Sequence, residues 1–285
     1  MITDGGIFDD ICFDITDYES FNRLIAEGFL APLIPKRTSF EIDVSNVSLT
    51  AGQYNDKQLQ AATDKEEITS QAVRETIEYG QDRQSWLTFT TGIEKAEHVA
   101  AMFQSMGVAA ACVHSKLPAK ENDARIRDFK SGLLRCLVNK DKLTTGFDHP
   151  PIDLISNLRT SASPGLWVQM LGRGTRVFAG DDFFRPKSNT LCLDFTKNTR
   201  TLGPINDPKI PRKPGKGGGD PPVKLCASCG VYNHPTVREC INCGALFEFK
   251  INIFGTAGTT EVMRGDLPIV EYFEVTKVLY NLHEK

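Results

Sequence analysis

Along the middle of this chain, short apolar runs of strand length alternate with segments whose apolar positions fall three and four apart. Residues 86–90, 108–113, 133–139, 152–158 and 191–195 are the apolar runs. Between the first three, residues 95–106 and 119–129 carry helical spacing, and Gly107 and Gly132 stand at their ends. Strands that are apolar at consecutive positions are buried on both faces. Their alternation with helices predicts an α/β architecture, a parallel sheet flanked by helices. Ligands of such sheets are expected at the carboxyl ends of the strands.

The flanking regions follow other patterns. Residues 18–30 have helical spacing, with Asp17 as a plausible N-cap and Gly28 near the stop. Pro32 and Pro35 interrupt the chain, residues 39–49 alternate like a half-buried strand, and residues 58–79 read as one or two helices. Of the twenty residues from 203 to 222, eleven are Gly or Pro, which reads as a linker. Residues 197–224 hold seven basic and two acidic side chains, so this tether is either merely solvated or an arm for nucleic-acid phosphates. Residues 247–280 alternate enough to suggest a β-rich tail.

Composition narrows the class. Hydrophobic content is 40%, charged content 24% and net charge -3, so any nucleic-acid surface must be local rather than global. The first residues lack a basic stretch followed by an apolar one, and no apolar run approaches a membrane span. A cytoplasmic chain with no membrane partner is expected.

The eight cysteines divide in two. Cys12, Cys112, Cys136 and Cys192 are isolated and read as buried thiols. Cys226, Cys229, Cys240 and Cys243 form two Cys-x-x-Cys pairs, each followed by a glycine, Gly230 and Gly244. Four thiolates at this spacing select zinc in closed tetrahedral coordination, a structural site, with iron as the alternative. His234 lies in the intervening loop and is read as surface.

Two stretches carry candidate chemistry. Thr144–Asp148 reads TTGFD, and Gln169–Arg176 reads QMLGRGTR near the end of a helix-like segment. Helical residues three apart share a face, so Arg173 and Arg176 are expected to point at one target, and two guanidiniums beside a Gly-rich turn and an Asp suit a polyphosphate on a sugar. In this order and spacing the two stretches resemble motifs V and VI of superfamily-two helicases, in their second RecA-like domain.

The resemblance implies roles. Arg176 would be the arginine finger toward the γ-phosphate, with Arg173 beside it. Gly146 would admit the nucleotide closely, Asp148 would accept a ribose hydroxyl or orient Arg176, and Gln169 would position. Residues 85–103 and 113–132 resemble motif IV and the adjoining strand-gripping segment, placing His114, Ser115, Lys116 and Arg125 at nucleic-acid phosphates. Thr144 and Thr145 are further candidates there. Many members carry Thr-Asp early in motif V, whereas this chain has Asn139-Lys140-Asp141, so no such threonine contact transfers to Lys140.

Neither a G-x-x-x-x-G-K-[ST] phosphate loop nor an acidic Mg²⁺ motif occurs. The implied organisation is therefore the carboxy-terminal part of a helicase. Residues 1–202 form the second RecA-like domain, 203–223 a basic Gly/Pro-rich linker, 224–248 a zinc ribbon, and 249–285 a β-rich tail, truncated at its end. This arrangement resembles RadD-type DNA repair helicases and their phage relatives, over about residues 5–250. The implied partners are DNA (RNA not excluded) and a missing amino-terminal RecA-like domain, with ATP and Mg²⁺ held largely by that domain. This chain alone would then be inactive as an ATPase. The rival readings are a non-enzymatic nucleic-acid-binding zinc-ribbon module and a regulatory fragment acting with a separate motor chain.

Overall fold

A computed structural model describes residues 18–44, 47–50, 53–55, 58–59, 63, 65–143, 146–208, 224–233 and 237–247. Asp17, Cys12, His234, most of the linker and the tail from residue 248 onward lie outside the described residues.

The centre is a six-stranded, wholly parallel sheet. Its strands are β1 (Leu33–Lys36), β4 (Trp86–Phe89), β5 (Ala110–Val113), β6 (Cys136–Asn139), β7 (Leu154–Asn157) and β8 (Thr190–Asp194), in the order β1-β8-β7-β4-β6-β5. Two short antiparallel pairs accompany it: β2 (Leu49–Thr50) with β3 (Gln53–Tyr54), and β9 (Lys224–Leu225) with β10 (Tyr232–Asn233). The helices are α1 (Tyr18–Ala26), α2 (Glu66–Tyr79), α3 (Ile93–Ser105), α4 (Ala119–Lys130), α5 (Pro164–Leu171) and the short α6 (Asn198–Leu202).

Continuous apolar runs are needed because both faces are covered. Trp86, Val138, Leu154 and Leu193 face a core with Val73 of α2 and Val99 and Phe103 of α3. The intervening Leu87, Leu137, Ile155 and Cys192 face the opposite core with Phe129 of α4 and Trp167 and Met170 of α5. At about 25 cal/mol per Å² of buried apolar surface, these two layers dominate the stability of the domain.

One expected strand is absent and one unexpected strand is present. The alternating segment forms no strand over residues 39–44, although Ile42 and Val44 are buried. Ile42 makes one ladder-like bond, its N–H donating to the Phe195 carbonyl at 2.7 Å. Alternation there records burial on one side of an irregular segment. The strand falls instead on residues 33–36, across Pro35. β1 pairs along one side only, with β8, and a proline whose ring replaces an N–H is tolerated at such an edge. Its outer side meets the cysteine-rich segment through a bridge between Lys36 and Val231 and a bond from the Arg37 N–H to the Gly230 carbonyl at 2.8 Å.

One connection matters for function. β6 and β7 run parallel on either side of β4, so the chain must travel back the length of the sheet between Asn139 and Leu154. It makes this return without a helix among the described residues. No described helix is long and apolar enough to cross a membrane.

Candidate nucleotide-facing site and four-cysteine centre

Helix α5 ends at Leu171, with Gly172 as its C-cap, so Arg173 and Arg176 do not share a helix face as their spacing suggested. They lie on the turns that follow. The chain bends because the Gly174 N–H bonds the Leu171 carbonyl at 2.9 Å, and Gly174 is packed against β-strand side chains. A Cβ there would stand 2.7 Å from the Thr190 methyl and 3.0 Å from both Ile155 and Leu33. Only glycine lets the backbone come this close.

The turn nevertheless brings both arginines to the return loop. Arg173 donates Nη1 to the Phe147 carbonyl, and Arg176 Nε lies 3.4 Å from Asp148 Oδ1. Arg176 and Asp148 are exposed, at 55% and 64% of their side-chain surface, so their pairing serves orientation more than stability. Burial, and then the like charge of Arg176, pull the Arg173 guanidinium below its ordinary pKa. An anion facing both would relieve that repulsion. Gly146, with φ +70°, is exposed with open space where a side chain would be, and Gln169 is exposed on α5.

This cluster sits at the amino-terminal edge of the sheet, opposite to the expectation for parallel sheets. The Gly174 carbonyl accepts from Thr190 Oγ1 at 2.7 Å and from Lys187 Nζ at 3.1 Å, and Thr190 is the first residue of β8. The same two side chains bond the Ile152 carbonyl, just before β7, and Lys187 also takes the Pro150 carbonyl at 2.8 Å. Burial lowers the Lys187 pKa to about 8. The return loop is what displaces the site: it carries the residues away from the end of β6 and across the sheet. Lys187, which stitches loop to turn, has no motif or periodicity around it, and sequence reasoning passed it over.

Asp148 is presented by its neighbours. Phe147 and His149 point inward while Asp148 points out. The His149 ring lies 4.9 Å from Phe129 and 5.2 Å from Phe184. Burial, then the nearby Lys130 charge, holds its pKa down at about 4, so the folded protein keeps it neutral. Between pH 6.5 and about 4 the unfolded chain therefore binds a proton that the native state refuses, and stability must fall as pH falls through that window. The full effect is on the order of 3 kcal/mol. Urea midpoints at neutral pH and near pH 4 should converge in His149→Phe relative to the unmodified protein; parallel losses in both would contradict the assignment.

The strand-end candidates divide. His114 is buried, with Nε2 3.2 Å from Glu97 but outside hydrogen-bonding geometry. Arg125 turns inward, donating Nη1 to the Cys112 carbonyl at 2.7 Å and pairing with Glu121 at 2.5 Å. The turn between them is built by Asn122, whose amide takes the His114 and Leu117 carbonyls. Ser115 and Lys116 are exposed there. Thr144 and Thr145 lie outside the described residues.

The four cysteines converge. All four sulfurs lie within 4.8 Å of one another, with Cys226 Sγ to Cys243 Sγ at 3.6 Å and Cys229 Sγ to Cys240 Sγ at 3.5 Å. Disulfides need about 2.05 Å, whereas tetrahedral zinc with bonds of about 2.3 Å sets sulfurs about 3.8 Å apart. The set fits zinc. Both knuckles repeat one geometry: the glycine N–H bonds the first cysteine's carbonyl at 2.9 Å, and Gly230 and Gly244 both take φ +69°. The Cys229 amide, with that of Ser228, pulls the Cys226 thiol down. At Cys240 burial pushes up, but the Cys243 and Asn242 amides prevail and bring it to about 6. Thiolates are the metal-binding form.

With this geometry in hand, comparison with known proteins is informative. Residues 68–178 match the helicase conserved C-terminal domain. The chain is 27% identical over 198 residues to the putative mitochondrial ATP-dependent helicase irc3 of Schizosaccharomyces pombe, covering 69% of this chain and 31% of that protein. It is 28% identical over 217 residues to a 51.5 kDa protein of Lactococcus phage 7-9, covering 76% and 44%. A fragment of a putative HsdR subunit of a type I restriction enzyme from Vibrio vulnificus aligns at TM-score 0.47 and 18% identity, over 66% of this chain and 37% of that one. The chain thus spans less than half the length of these relatives. The matched domain, the ordered motif pair and the parallel sheet together mark residues 68–178 as a helicase conserved C-terminal domain of RecA-like fold.

Proposed function

We propose that this chain is the second motor lobe and zinc ribbon of an ATP-dependent DNA helicase or translocase, of RadD-like type. The observation that carries the reading is the joining of Arg173 and Arg176 to the Phe147–Asp148 loop. Two cations fixed at a sheet edge, one anchored and one exposed, suit a triphosphate presented by another lobe. In this reading Arg176 neutralises charge developing on the transferred phosphoryl group. Asp148 aims Arg176, and Arg173 holds the loop while adding positive potential. Gln169 positions the nucleotide, and Gly146 leaves room for it.

Magnesium and the phosphate cradle belong to the partner lobe, so closure of the two lobes assembles the site, and opening resets the grip on one strand. Zinc at Cys226, Cys229, Cys240 and Cys243 supplies structure and no chemistry. DNA rather than RNA is taken as the track on the resemblance to RadD-type helicases alone.

The isolated chain is expected to show no ATP turnover. Joined to a first RecA-like domain with its phosphate-binding lysine, it should show turnover stimulated by DNA. Turnover by the isolated chain, or stimulation by RNA and not by DNA, would overturn the reading in its respective part.

A further inference from the structure

Between the two cysteine knuckles lies a side chain that belongs to neither. Asn233 is the last residue of β10, opposite Lys224 of β9, and is only 3% exposed. Spacing along the sequence marks the cysteines and their glycines in this region and gives Asn233 no role.

Its amide makes three contacts, and each ends on the frame that carries the thiolates. Nδ2 donates to the Val231 carbonyl at 2.9 Å and to Cys240 Sγ at 3.6 Å, a length suited to a sulfur acceptor. Oδ1 accepts the Ile241 N–H at 2.9 Å. The Val231 carbonyl also receives the Cys226 N–H at 3.0 Å, so Asn233 grips the strand that closes the first knuckle. Through Cys240 and Ile241 it grips the start of the second. These partners fix the orientation of the amide. Turned over, its oxygen would face a carbonyl and a sulfur, and its N–H groups would face an N–H.

Four thiolates overcompensate a divalent zinc. The surplus negative charge of a partly buried centre is spread by N–H donors around the sulfurs. We propose that Asn233 is the outer positioning residue of the four-cysteine centre. Its N–H draws charge from the metal-bound Cys240 sulfur and aims it, while its oxygen holds the second knuckle against the first. The inference deepens the zinc reading and rests on it.

The test uses the full chain with its metal, in Asn233→Asp and Asn233→Ala. The aspartate keeps an oxygen for the Ile241 N–H at nearly constant shape, but sets a carboxylate oxygen where the donor faced the thiolate. Alanine removes both ends. Zinc affinity, read by competition with a chromophoric chelator, is expected to fall about 10–100-fold in Asn233→Ala. It should fall at least as far in Asn233→Asp, where like charge meets the sulfur. An amide that only packs would give the opposite order, since aspartate preserves more of the contacts. With cobalt in place of zinc, the sulfur-to-metal charge-transfer band should move to longer wavelength in both variants, because a sulfur without its N–H donor releases electron density more readily. Millimolar cobalt still loads the site after such a loss of affinity.

Unchanged zinc affinity in both variants refutes the role of Asn233 and leaves the zinc reading standing. An unshifted band, or a larger loss in Asn233→Ala than in Asn233→Asp, also refutes it and reduces Asn233 to packing. Failure of either variant to load at millimolar cobalt refutes it as well, since an outer contact tunes a site that the thiolates themselves make. An unmodified chain that takes up no zinc removes the zinc reading and this inference together.

Discussion

Arg176→Ala, placed in a complete enzyme containing this lobe, is expected to lower DNA-stimulated ATP turnover by about 10³–10⁵ while leaving the thermal midpoint almost unchanged. The two halves of that expectation have separate causes. Arg176 is half exposed and pairs with the exposed Asp148, so little folding energy rests on it. Its effect on turnover, in contrast, arises where charge spreads over phosphoryl oxygens in a closed, water-poor cleft. Asp148→Asn should weaken turnover far less, since it loosens the aim of the guanidinium without removing it. Arg173→Ala should differ from both: it vacates the Phe147 carbonyl, so the return loop loosens and stability falls together with turnover. Full activity in Arg176→Ala would reject the finger assignment and leave the fold untouched.

Removing the metal is expected to unfold residues 224–247 while sparing the parallel sheet. Among the described residues of this segment the buried apolar side chains are few: Cys226, Val231 and Cys240 are the ones below a tenth exposed. Two of the three are metal ligands in the zinc reading, so no independent core remains once the thiolates separate. Structural zinc in such modules contributes about 10–16 kcal/mol of apparent binding energy. The edge strand β1 should feel the loss, because Val231 and Gly230 meet Lys36 and Arg37. Amide exchange after chelation, or in Cys240→Ser, should therefore accelerate at the Cys226 N–H and modestly at the Arg37 N–H, with the amides of β4 and β6 unaffected. One zinc per chain by elemental analysis is expected. A coloured protein with thiolate-to-iron absorption would replace zinc by iron, and ribbon protection that survives chelation would refute a metal-dependent fold.

Much of this was legible in the residues. Strands β4 to β8 announced themselves because strands covered on both faces cannot alternate, and Trp86, Leu137 and Ile155 lie in such runs. The paired cysteines were legible because ligand spacing is local: each knuckle closes within five residues, from Cys226 to Gly230 and from Cys240 to Gly244. The edge strand was not, since Pro35 signals a break, and only pairing with β8 on one side makes it harmless. Nor was the inward turn of Arg125, because a guanidinium's partners here include a carbonyl thirteen residues away in sequence, on a neighbouring strand.

By itself, then, the sequence determined the kind of molecule: a layered α/β domain with a helicase motif pair and a four-thiolate cluster, since these depend on periodicity and short spacings. Only the tertiary structure decided where the candidate site residues come together. Arg173 and Arg176 reach Phe147 and Asp148 across a turn rather than along a helix, at the amino edge of the sheet. That placement depends on a helix-free return between β6 and β7, on Lys187 and Thr190 bonding carbonyls distant in sequence, and on a glycine at 174 that fits against three side chains. Contacts between residues far apart in the chain leave no local pattern to read.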